Sequence, residues 1–131
     1  MRRARRTAEI AGFPNPQVTS LLQEFDYGDY EGLTTAEIDE AHPGWDLFRD
    51  GCPGGETPAA AYARAGQFIS RALESDGNVL AFAHGHILRT IAVAWMSLDV
   101  TAGSRLLLDV STLSRLVHDD RGRELAMWNA P

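Results

Sequence analysis

The densest chemistry in the sequence is Ala83-His84-Gly85-His86, placed after the apolar run Val79-Leu80-Ala81-Phe82-Ala83 and before a helical pattern. In an open α/β sheet, ligands gather beyond the carboxyl ends of strands, where helix N-termini turn their amides toward anions. His84 takes that position, and Gly85 lacks the Cβ that would hold a ligand or a backbone away. A histidine so placed can equally be structural. His84 and His86 can also be read as a metal pair, but that needs further ligands, and no carboxylate or cysteine cluster stands at a recognisable spacing. A second concentration is Leu22-Gln23-Glu24-Phe25-Asp26-Tyr27-Gly28-Asp29-Tyr30-Glu31-Gly32. Such a run is ordinarily a solvated loop. A carboxyl held among apolar groups, however, keeps its proton toward neutral pH and can give it to a leaving group. The third is Arg3-Ala4-Arg5-Arg6-Thr7-Ala8, either a solvated helix face or a clamp for phosphate.

The elements that must position these residues alternate between helix and strand. Residues 2–11 read as a helix that Gly12 ends, followed by a connection with Pro14 and Pro16 and a partly apolar stretch, Val18 to Phe25, read as strand or extended chain. Thr34 or Thr35 caps a helix stopped by Pro43-Gly44, and Trp45 to Arg49 forms a further short helical turn. After the loop Gly51-Cys52-Pro53-Gly54-Gly55, Thr57 caps a helix to about Glu74, with Pro58 at its first position. The run Val79 to Ala83 suits a strand buried on both faces, and a helix follows from about Ile87 to Ser97. Strands are expected at about 105–109 and 112–118, then the turn Asp119-Asp120-Arg121-Gly122 and a returning strand from Glu124 to Trp128. No repeat or long linker interrupts the pattern, so residues 1–131 read as one α/β domain.

Composition narrows the partners. The formal net charge of -6 argues against general affinity for nucleic acid. All twelve basic residues are arginine, which either reflects genome base composition or suits bidentate recognition of phosphate. Ile87 to Leu98 is too short for a membrane span and is interrupted by Arg89. The basic opening is followed by no apolar stretch of the kind a secretory leader needs. A single cysteine, Cys52, excludes an internal disulfide and fits a reducing cytoplasm.

Four short motifs occur in one order: Arg3-Ala4-x-x-Thr7-Ala8, Glu24 with Tyr27-Gly28 and Glu31-Gly32, Gly55-Glu56-Thr57, and His84-Gly85. In that order they resemble the histidine phosphatase superfamily, of the phosphoglycerate-mutase-like type, over essentially the whole chain. The resemblance implies a three-layer α/β/α sandwich. It assigns catalytic roles to Glu24 and His84, and phosphate binding to Arg3, His84 and Gly85. Glu24 would be the general acid and then the base that activates water. The implied reaction is phosphomonoester hydrolysis through phosphohistidine, with no metal and no cofactor. Thr57 stands where the family has serine in its Gly-Glu-Ser element. The short segment between Gly32 and Gly55 resembles the bacterial phosphatase branch more than the phosphoglycerate mutases, which carry a longer insertion there.

The resemblance also implies an attacking histidine in an Arg-His-Gly motif, and the sequence contains no Arg-His pair. That motif belongs to a first strand ahead of the arginine helix, so the first strand, first helix and second strand of the family fold have no counterpart here. The chain therefore reads as the C-terminal part of such a domain, from a longer protein or a truncated gene, with negligible turnover expected. An inactive phosphate-ester-binding module on the same fold is the alternative, and an unrelated α/β interaction domain is a third reading. The expected partner is a small phosphorylated metabolite, with no nucleic acid or membrane, and a homodimer is left open. Loops that vary freely on one scaffold set the substrate. Trp45, Phe48 and Arg49 are candidates to line the entrance, with core packing the competing use of the two aromatics.

Overall fold

The computed structural model describes residues 2–131, which form five α-helices and one antiparallel hairpin, joined by loops and short 3-10 turns. Helix α1, Arg2–Ile10, buries only Ala8 and leaves its arginines toward solvent. Arg5 and Arg6 pair with Glu9 across one turn, each at 3.2 Å, so these two behave as a solvated helix face. The helix stops at Gly12, whose φ of +93° lies in the left-handed region.

Helix α2, Thr35–Ala41, starts from a capping box in which Thr34 and Glu37 satisfy each other's backbone amides. Helix α3, Leu47–Asp50, is a single turn capped by Asp46. Helix α4, Pro58–Leu73, begins as the sequence predicts, with Thr57 accepting from the Ala60 amide at 3.2 Å and Pro58 at its first position. Its buried residues Ala61, Ala65 and Ile69 recur every fourth position, the spacing that keeps one stripe facing inward. Helix α5, Gly85–Trp95, lies on that stripe. Ala65 and Ile69 meet Ile87, Ile91, Ala94 and Trp95 in the larger core, where each fully buried aliphatic side chain contributes about 1.5–3 kcal/mol. A second core joins Phe25 to Leu47, Phe48, Cys52 and Ala61, beneath the loop that carries Glu24.

Strands β1, Leu113–Asp119, and β2, Gly122–Ala130, pair antiparallel about the turn Asp120-Arg121. Trp95 fastens this hairpin to α5: its indole Nε1 donates to the carbonyls of Val117 and Glu124 at 3.2 and 3.1 Å.

Two expected strands, and one stretch read as strand or extended chain, take other forms. Thr19 caps a 3-10 turn, Ser20–Leu22, inside the stretch read as extended. Residues 79–83 form no strand and have no ladder partner among the described residues, where the only sheet is β1 with β2. A strand buried on both faces needs neighbours on both sides, and without them Val79 and Leu80 stay 48% and 49% exposed. Residues 105–109 leave a 3-10 turn, Val100–Arg105, and join no sheet, with Leu107 exposed. The architecture is a mixture of helix and sheet, α/β as expected. Among the described residues no helix is long and apolar enough to cross a membrane.

Candidate active site

The loop bearing Glu24 is held by the loop bearing Gly55-Glu56-Thr57. The Asp29 amide donates to the Pro53 carbonyl at 2.8 Å, and the Glu56 amide to the Asp26 carbonyl at 2.9 Å. At this separation neither Gly28 nor Gly55 can carry a side chain. A Cβ on Gly28 would collide with the Pro53 carbonyl, and one on Gly55 with the Asp26 carbonyl. Gly28 also has φ +50°, which glycine adopts without strain. Phe25, 3% exposed, anchors the loop by packing edge-on against Phe48 at 5.9 Å between centroids.

These anchors deliver the Glu24 carboxylate to the head of α5. One oxygen accepts from the Ile87 amide at 2.9 Å and the other from the His86 amide at 3.1 Å. Both amides belong to the first turn, which α-helical bonding leaves without partners. Burial by itself raises the Glu24 pKa, but hydrogen bonds from His86 and Ile87 and the nearby His86 ring outweigh it, and the net direction is down. This corrects the expectation of a carboxyl keeping its proton in an apolar setting: the site favours the ionised form. It also corrects the picture of α5 as a free anion-binding terminus, because Glu24 occupies two of its amides.

His84 is the N-cap residue of α5, with extended backbone and no side-chain capping bond. Burial lowers its pKa first; Glu24 pulls it back up and Arg3 pushes it further down. Glu24 and Arg3 are thus each close enough to His84 to act on its charge. Among the described residues no carboxylate forms an ion pair with Arg3. A Cβ on Gly85 would meet nothing within 4 Å, so the space beside it is open. His84 borders a cleft of about 840 Å³, which runs between α1 and residues 79–82 and is lined by Ala4, Ala8, Phe13, Leu80 and Phe82.

The second histidine of the motif has a different setting. Tyr27 Oη lies 2.7 Å from His86 Nδ1, and the ring is edged by Phe25, Tyr27 and Phe48. Burial, then the charge of Glu24, pushes the Tyr27 phenol well above its ordinary value, so it stays protonated. Among the described residues no group of three or more His, Cys, Asp or Glu side chains is arranged to hold a metal ion. Of the entrance candidates, Phe48 is core at 2% exposure, while Trp45 and Arg49 line a separate cleft with Tyr30 and His42. Arg49 is engaged there by Asp50 and the Gly44 carbonyl.

Two supporting residues were not identified from sequence. Arg64 binds Glu56 through two nitrogens and the carbonyls of Leu21 and Gln23 through the third. Nothing in local spacing points from residue 64 to residue 23. Tyr27 appeared only as part of a motif; its bond to His86 spans 59 positions.

A model described as the histidine phosphatase superfamily, branch 1, matches residues 1–131. The chain is 39% identical over 128 residues to an acid phosphatase of Mycobacterium tuberculosis, covering 96% of this chain and 63% of that protein. It is 38% identical over 97 residues to sedoheptulose 1,7-bisphosphatase of Saccharomyces cerevisiae, covering 60% of this chain and 35% of that one. The chain thus spans less than two thirds of either relative. Among solved structures, that of the open reading frame Rv3214 of Mycobacterium tuberculosis superposes with a TM-score of 0.94 at 38% identity, covering 98% of this chain and 68% of that one. The mycobacterial glucosyl-3-phosphoglycerate phosphatase superposes with a TM-score of 0.83 at 25% identity, covering 98% and 74%. These neighbours have the phosphoglycerate-mutase-like fold that the motifs imply.

Proposed function

Because the chain belongs to the histidine phosphatase superfamily, we propose that its site serves hydrolysis of a small phosphomonoester through a phosphohistidine intermediate. The observation that carries this reading is the Glu24 carboxylate bound by the His86 and Ile87 amides, at 3.1 and 2.9 Å, at the head of the helix that His84 caps. Arg3 supplies positive charge and N–H donors to the phosphoryl oxygens, His84 adds a ring N–H, and the gap beside Gly85 lets the group approach. Glu24 protonates the leaving oxygen and afterwards takes a proton from the water that attacks phosphohistidine. The attacking histidine of an Arg-His-Gly motif is not among these 131 residues, so hydrolysis requires one supplied from outside them. The single free cysteine, Cys52, supports a cytoplasmic setting.

The missing Arg-His pair also favours a second reading, a module that binds phosphate esters without turning them over. Titration with p-nitrophenyl phosphate, following both binding and release of nitrophenol, separates the two. The first reading expects chelator-resistant turnover once the chain is joined to an Arg-His-Gly-bearing segment, and negligible turnover without it. The second expects binding alone in either case. Arg3→Ala and His84→Ala should each weaken binding about tenfold or more, the worth of a charge-assisted hydrogen bond. Unchanged binding in both variants would remove the site from both readings.

A further inference from the structure

As the proposed acid, Glu24 has a chemical difficulty. The amides of His86 and Ile87, at 3.1 and 2.9 Å, hold it as a carboxylate, whereas an acid must carry a proton when the leaving oxygen departs. A titratable atom stands close by: His86 Nδ1 is 3.6 Å from Glu24 Oε2. The imidazole is also confined. Tyr27 Oη meets the same Nδ1 at 2.7 Å, and the rings of Phe25, Tyr27 and Phe48 lie 6.2, 5.8 and 5.8 Å from it, centroid to centroid. With 34% of its side chain exposed, the ring still reaches water.

We propose that His86, braced by Tyr27, is the positioning residue of Glu24 and the source of the proton that Glu24 delivers. When the imidazole is neutral, the Tyr27 hydroxyl donates to Nδ1. When it is protonated, Nδ1 becomes the donor, and a small swing of the ring away from Tyr27 Oη, at 2.7 Å, brings it from 3.6 Å into hydrogen-bond distance of the anionic Glu24 Oε2. The Nδ1–H bond then breaks, its electron pair returns to the ring, and an O–H bond forms at Oε2. Glu24 passes that proton to the leaving oxygen and is a carboxylate again, and the ring takes its next proton from water. Imidazole suits this task because the same ring nitrogen accepts a hydrogen bond when neutral and donates one when protonated. The inference rests on the reading of Glu24 as the acid and adds how it is loaded.

Other charges near the pair bear on its titration. Glu31 and Cys52 act on Tyr27 from the loops around it. Arg89, on α5, lies over the Phe48 ring at 4.6 Å and is influenced by Asp46, Glu24 and Tyr27. His84 shares the field of Glu24.

The test is an NMR titration of the whole chain, following the Glu24 carboxyl carbon and the His86 ring in the native sequence, His86→Gln and Tyr27→Phe. The native chain should show two inflections at Glu24, the upper one coinciding with that of the His86 ring. His86→Gln should abolish the upper inflection and raise the midpoint of the lower. Tyr27→Phe should retain both and displace the ring's midpoint. A single Glu24 inflection, unmoved by His86→Gln, overturns the proposal. So does an unmoved ring in Tyr27→Phe, which decides the matter even where His86→Gln fails to fold. Turnover is not needed for these measurements. Coupling in a chain that binds no phosphate ester therefore sinks the acid role alone, and hydrolysis without coupling sinks this proposal alone.

Discussion

The Arg64 guanidinium grips the Glu56 carboxylate at 2.9 and 2.7 Å, and its remaining bonds reach the carbonyls of Leu21 and Gln23 at 2.9 and 2.7 Å. Gln23 immediately precedes Glu24, so one side chain of α4 ties the Glu24 loop to the Gly-Glu-Thr element. Both partners are mostly buried, with side chains 17% and 16% exposed. Removing one member of such a pair leaves the other charge buried and alone, at a cost of about 3–5 kcal/mol. Arg64→Ala should therefore lower the urea midpoint by that order without a large change in slope. Arg64→Lys should fall between, since an ammonium cannot reproduce the planar fork. A loss below about 1 kcal/mol in Arg64→Ala would mean that the clamp does not hold the loop.

The glycines of the same region make a prediction of opposite signs. Gly28→Ala and Gly55→Ala both place a methyl group against backbone carbonyls that cannot turn aside. Each should destabilise the fold by roughly 2 kcal/mol or more, with Gly28→Ala also bearing the strain of a positive φ. Gly66 sits inside α4, and a Cβ there would meet nothing within 4 Å. Gly66→Ala should stabilise by about 0.5–1 kcal/mol, the helix-interior difference between the two residues. Parallel thermal melts of the three variants check the contrast. Equal effects at all three sites would contradict the packing described.

What sequence could convey follows the range of the interactions. Caps such as Thr34 and Thr57, the stop at Gly12 and the turn before Gly122 depend on neighbours a few positions away, and those elements appear where expected. The expected strand at 79–83 depends on ladder partners distant in sequence, and the described residues provide none. Arg3, Glu24 and His84 could be singled out from sequence because each lies in a short motif, and the structure brings Glu24 to the head of the helix that His84 caps. The ionisation of Glu24 was not, because its donors are amides 62 and 63 positions away. The pairing of Tyr27 with His86 was hidden for the same reason.

Acidification should destabilise the protein in two separable steps. His84 has a folded pKa below its ordinary 6.5, mainly through burial. The unfolded chain then takes up this proton first, so stability declines as pH falls below 6.5 and levels off below the folded value. Glu24 also has a depressed folded pKa, against an ordinary 4.5. Its contribution is present above the unfolded value and is lost as pH falls through the folded one. Melting temperatures between about pH 3 and pH 8 should thus show an upper loss absent from His84→Asn and a lower loss reduced in Glu24→Gln. If Glu24→Gln melts with an unaltered acid limb, the carboxylate is not held by the head of α5.

The hairpin offers a test of how far the core's cooperation extends. Trp95, 6% exposed, closes α5, and its indole N–H is shared between carbonyls on the two strands, Val117 at 3.2 Å and Glu124 at 3.1 Å. The Arg123 guanidinium also stands over the ring at 5.2 Å. Trp95→Phe keeps an aromatic ring in the α4–α5 core but removes the only N–H that links it to the sheet's backbone. The lost bond and the smaller ring together should cost about 1–3 kcal/mol. Because β1 and β2 pair only with each other among the described residues, the loss should be felt unevenly. Amide hydrogen exchange should accelerate first in Leu116 to Leu125, while the amides of α4 around Ala65 slow or quicken only with global stability. Uniform acceleration throughout the chain would show that the hairpin and the helical core open as a single unit, and that Trp95 is one packing residue among many rather than their fastening.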